Sequence, residues 1–139
     1  MEVEINMVGV LAAAAASMVV GSLWYSKAVF GKTWMSLTKM DEKKMREGGW
    51  MPMFIAVVTS LLTAYVLAHV AYLSYQFFGN SFMNAAMSTA FWLWLGVAAT
   101  TLVVHGAFEQ RSRKLTVLNV GNQLVAFLAM GAAIGWVGL

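Results

Sequence analysis

The chain has 139 residues, 60% of them hydrophobic and 11% charged, with a net charge of +3 and no cysteine. An ordinary soluble domain carries roughly 25% charged residues. Here no Asp, Glu, Lys or Arg stands between Glu47 and Glu109 or after Lys114, so a soluble fold, which needs polar faces through such runs, is excluded.

The segment Met1–Asn6 holds two acids and no base, which argues against a cleaved secretory signal with its basic start. Ile5–Tyr25 carries no charge. At about 1.5 Å per residue it is long enough for a helix to cross a hydrocarbon core of roughly 30 Å. Ala13, Ser17 and Gly21 recur every four residues and form a small-residue stripe on which another helix can pack closely.

Ser26–Gly49 is the longest polar segment, with six Lys/Arg against three acids. Phe30, Trp34 and Leu37 fall at helical spacing, so Gly31–Thr38 is expected to be a short helix in the headgroup region. Asp41 is placed to cap a second short helical turn that stops at Gly48-Gly49. The segment reads as a solvated connector with an interfacial helix. The sharper alternative is a gate, or a docking surface for a membrane-protein partner over Lys27–Arg46.

The second span is Trp50–Tyr75, with Pro52 near its start, where a missing amide donor costs nothing. Gly79-Asn80 breaks the uncharged turn that follows. The third span is Met83–Phe108 and the fourth Leu115–Val137. Gly131 and Gly135 give the fourth span a second close-approach motif. All nine Lys and Arg lie in Lys27–Arg46 and Arg111–Lys114. Two short interhelical loops are no platform for nucleic acid, and the positive-inside rule puts both in the cytoplasm. The expected fold is therefore all-α: a single transmembrane domain, a four-helix bundle in the inner (plasma) membrane with the lipid bilayer as its solvent. Both termini are outside. The small-residue stripes on the first and fourth spans point to a homo-oligomer.

Depth sorts the polar residues. His69 falls near the outer face and His105 near the inner one, so they share no metal. No metal-ligand motif appears, and without cysteine there are no thiolate sites. Thr101, His105 and Glu109 share one face of the third span; Asn119, Asn122 and Gln123 share one face of the fourth. Tyr25 and Ser26 reach the same depth from the first. Polar groups in a membrane usually face the bundle interior or a water-filled cavity. One reading makes these interhelical hydrogen bonds of ~0.6–2 kcal/mol each, with Glu109 paired to Arg113. The other makes them the mouth of a pocket or path for a small solute or ion. No nucleophile–base pair and no phosphate loop is present, so catalysis and a cofactor have no support. A non-catalytic subunit of a larger membrane complex is the alternative function.

Gly21-Ser22-Leu23-Trp24-Tyr25-Ser26, followed by Phe30-Gly31-Lys32 and Trp34, resembles the signature of a family of small bacterial membrane proteins. That family is catalogued as domain of unknown function seventeen-sixty-one. The likeness continues at Phe91–Gly96, Phe108-Glu109, Leu118-Asn119, Gly121, Gln123 and Met130-Gly131-Ala132. Two positions depart from the usual pattern: Lys27, where proline is frequent, and Asn122, where an aromatic is frequent. The resemblance implies a four-helix integral membrane protein and brings no activity. It places its motif residues, Trp24, Tyr25, Phe30, Glu109 and Asn119, at the inner end of the bundle. The candidate binding set is thus Trp24, Tyr25, His105, Glu109, Asn119, Asn122 and Gln123.

Overall fold

A computed structural model describes residues 3–139. Among these residues the chain is all-helical, with no strand. The helices are α1 (Met7–Trp24), α2 (Gly31–Thr38), α3 (Glu42–Glu47), α4 (Met51–Phe78), α5 (Phe82–Leu93), α6 (Thr100–Phe108) and α7 (Arg113–Val137). A π-helical stretch, Trp94–Ala99, joins α5 to α6, so Phe82–Phe108 runs as one rod. Four helices are long and apolar enough to cross a membrane: α1, α4, the Phe82–Phe108 rod and α7.

Local chemistry sets the ends. Asn6, Asp41, Ser81 and Ser112 each accept a backbone N–H of the helix they precede, filling donors that a first turn leaves open. Gly79 ends α4 in the left-handed conformation, φ 64°, which glycine adopts without penalty. The short connector helices fall where the spacing of Phe30, Trp34 and Leu37 and the Asp41 cap put them. The sequence carried no sign of the π-helical turn. There the Trp94 indole N–H donates to the Val120 carbonyl at 3.1 Å, fixing the third span to α7.

The spans run up and down, each beside its neighbours in sequence, with α1 also packed along α7 and α4 barely touching α7. Such a ring brings both basic connectors to one end, called here the basic end. The core lies in the other half. Ala13, Ala14, Ala64, Ala68, Ala71, Ala86 and Ala90 bring the helices close, and Val10, Leu67, Phe127, Met130 and Ile134 fill between them. In lipid, where apolar contact alone gives little preference for a neighbouring helix over a tail, small residues favour association through close van der Waals packing.

That packing takes up most of the small-residue stripes. A Cβ on Gly131 would stand 2.8 Å from the Ala90 Cβ and 2.9 Å from the Ala86 carbonyl oxygen. One on Gly135 would stand 2.9 Å from the Met83 Cα. Ala13 is fully buried within the bundle. Of the small residues read as contact surfaces for a second copy, Ala13, Ser17, Gly131 and Gly135 are used within one chain and Gly21 is not.

Candidate functional site

Toward the basic end the tight alanine packing gives way to a cavity of about 930 Å³. Its floor is where the Ser17 hydroxyl of α1, which donates to the Ala14 carbonyl at 3.0 Å, meets the Ser60 hydroxyl of α4 at 3.1 Å. Three helices form the walls. The α1 wall is Ser17, Met18, Gly21, Ser22 and Tyr25; the α4 wall runs from Pro52 through Met53, Ala56 and Ser60 to Thr63; the α7 wall is Asn122, Gln123, Ala126, Phe127 and Met130. Each set recurs at three- and four-residue steps, as one helix face must. On α4 the lining extends along about 16 Å of helix, at roughly 1.5 Å per residue. Gly21 belongs to this wall: a Cβ there meets nothing within 4 Å.

The connector covers the basic end, contributing Trp34, Met35, Glu42 and Met45. The Trp-Tyr-Ser…Phe-Gly element folds it back. The Phe30 N–H donates to the Trp24 carbonyl at 3.0 Å and the Gly31 N–H to the Ser26 carbonyl at 2.8 Å. The Trp24 and Phe30 rings meet at a tilt of 46° with centroids 4.7 Å apart, and Tyr25 meets Trp34 edge-on at 5.8 Å. A side chain at Gly31 would run into the Tyr25 and Ser26 backbone. The motif is a clasp that turns α2 over the cavity. Lys27 and Glu42, which both line the cavity, close it with an ion pair. The Lys27 hydrogen bond, with its charge, holds the exposed Glu42 carboxyl below its ordinary range.

The seven candidate residues divide. Tyr25, Asn122 and Gln123 line the cavity. Asn119 stands behind Tyr25 and accepts its hydroxyl proton at 2.8 Å. Trp24 lies outside the lining, its ring over Gly121, where a Cβ would stand 3.2 Å from it. Its indole N–H is buried without a partner. His105 and Glu109 are exposed, 3.8 Å apart, on the third span. Glu109 pairs with Arg111, where the sequence offered Arg113. They do not join the cavity. His69 lies in the opposite half, its ring 5.6 Å from Tyr65. Sequence reasoning missed the α1 and α4 walls. Ser17 and Gly21 were read as a packing stripe, and nothing in the uniformly apolar start of α4 marks Met53 or Ala56 as lining.

One residue of the cavity wall is out of balance. Asn122 is 6% exposed, and its side-chain N–H₂ has no hydrogen-bond partner. A buried unmet donor costs about 1–3 kcal/mol. Around it the wall is soft: Met18, Met35, Met45, Met53 and Met130 all face the cavity, and methionine adapts to irregular shapes.

Fold and cavity together define a multi-pass α-helical membrane protein with a one-ended internal pocket. Residues 8–135 match the model of the family described as Protein of unknown function (DUF1761), and the chain belongs to that family. No curated protein and no solved structure is significantly similar to it.

Proposed function

We propose that the chain is a non-catalytic binding protein of the plasma membrane, which holds a small molecule in the cavity between the first, second and fourth spans. Its mouth would face the cytoplasm, following the placement of all nine Lys and Arg at that end. The observation that carries the reading is Asn122, which lines a cavity of about 930 Å³ and whose buried side-chain N–H₂ has no partner in the chain. Ligand sites occupy about 300–1,000 Å³ and combine apolar walls with a few placed polar groups. Binding is favoured over conduction because the cavity ends on Phe127 and Met130, against the alanine core. The connector supports the reading as a cover: Trp34 and Met35 are half-buried and line the cavity from above.

The protein has no cysteine, so single cysteines report without background. With the protein in lipid, Gln123→Cys is expected to react with a small water-soluble methanethiosulfonate, while Ala68→Cys in the core stays inert. An inert Gln123→Cys, beside a reactive Lys43→Cys on the connector, overturns the reading.

A further inference from the structure

The cavity is open sideways. In the half away from the basic end, α4 packs on α5; in the basic half it makes no extensive contact with α6, which packs instead on the π-helical stretch and α7. The helix ring is therefore broken between the second span and the basic half of the third. The first turns of α4 stand clear of the bundle: Met51, Met53, Phe54 and Ile55 are each about half exposed. Met53 also lines the cavity, so the wall continues into the lipid-facing surface. In a membrane, this gap opens onto acyl chains.

The α7 wall of the cavity changes character along its length. Asn122 and Gln123 carry the side-chain amides of this wall; beyond them it turns apolar at Ala126, Phe127 and Met130, while the floor hydroxyls Ser17 and Ser60 pair with each other. The unmet group is a donor, so it calls for an acceptor on the ligand. Charge is balanced: Lys27 and Glu42 are the charged residues of the lining, and they neutralise each other. A charged head would have to separate that pair or enter without a counter-charge, at a desolvation cost.

Resting on the binding reading above, we infer that the ligand is a neutral single-chain amphiphile drawn from the bilayer through the gap beside α4. Its carbonyl or hydroxyl head lies against Asn122, and its chain runs past Met18 toward Phe127 and Met130. A monoacylglycerol has this chemistry; a fatty acid and an alkyl trimethylammonium carry the wrong charge.

The full chain in lipid nanodiscs is exposed to three photoactivatable probes with the same diazirine-bearing chain: a monoacylglycerol, the free fatty acid and the trimethylammonium amphiphile. Adducts are mapped by mass spectrometry. The monoacylglycerol is expected to label Met18, Phe127 or Met130 about tenfold more than either charged probe. Asn122→Leu should lower that labelling about tenfold, the effect of one net hydrogen bond, and leave labelling of the outward-facing Val117 unchanged. Equal or stronger cavity labelling by a charged probe overturns the head assignment, as does labelling indifferent to Asn122→Leu. Adducts confined to outward positions such as Val117 overturn lateral entry. If Gln123→Cys is still reactive in that case, the cavity serves a water-borne solute and the binding reading stands. If Gln123→Cys is inert as well, both fall.

Discussion

Two asparagines three positions apart on α7 do opposite work. Asn119 accepts the Tyr25 hydroxyl at 2.8 Å and ties the first span to the fourth. Asn122 is buried with its donors unmet. The same substitution should therefore change stability with opposite sign. Asn119→Leu removes a made bond and strands the Tyr25 hydroxyl; it is expected to lower unfolding stability by about 1 kcal/mol, in the range of interhelical hydrogen bonds in membranes. Asn122→Leu replaces an orphan donor with an apolar group of similar volume, and is expected to raise stability by about 1 kcal/mol or more in ligand-free detergent. Equilibrium unfolding of the two variants beside the parent protein checks both signs. A destabilised Asn122→Leu would mean that the amide is satisfied within the folded chain. A residue that weakens the empty protein is the expected signature of a binding group, since function is where local rules are broken.

At the scale of the element, glycines separate packing from lining. Gly131→Ala drives a methyl into Ala90 and the Ala86 carbonyl. The obstacle is helix against helix, so it is expected to cost about 1–3 kcal/mol. Gly21→Ala meets open space and should be neutral, or stabilising by up to about 1 kcal/mol through helix propensity. Thermal unfolding in one detergent measures the pair, and equal losses would contradict a cavity beside Gly21. The sequence could not separate these two stripes. Their residue types and spacing are alike, and what differs is whether a neighbour arrives. Elements were far more legible than their contacts. Gly31–Thr38, the Asp41 cap and the Gly79 break were readable because each rests on side chains within a few positions. The facing of the spans was not, because helices apolar all round carry little orienting pattern. The π-helical turn at Trp94–Ala99 was invisible for the same reason. Depth alone put His105 and Glu109 with Asn122 and Gln123. The third span, pinned to α7 by Trp94, takes them out of the cavity wall, while the Tyr25 side of the cluster came from the helix ends and is where the cavity lies.

For the whole molecule, the arrangement is a bundle closed in one half and splayed in the other, with every Lys and Arg at the splayed end. Orientation then decides what the cavity can do. Moving nine cationic groups across a membrane during insertion is disfavoured, so the excess of Lys and Arg in short loops is expected to keep those loops in the cytoplasm. No basic residue at the opposite end competes: its turn carries Gly79, Asn80 and Ser81, and the described start of the chain carries Glu4. The strongly one-sided count makes a mixed population unfavourable. Single cysteines test this directly. Asn80 lies in the turn between α4 and α5 and is exposed; Lys43 lies on α3 and is exposed. In intact cells a membrane-impermeant maleimide is expected to label Asn80→Cys, and to label Lys43→Cys only after the membrane is opened. The reverse pattern would place the cavity mouth outside the cell, and labelling of both in intact cells would mean dual topology. The outcome also constrains the ligand. With the basic end inside, a molecule held at Asn122 sits in the inner-leaflet half of the bilayer, and the gap beside α4 opens onto inner-leaflet chains. A monoacylglycerol confined to the outer leaflet of sealed vesicles should then label the cavity only as fast as it crosses to the inner one.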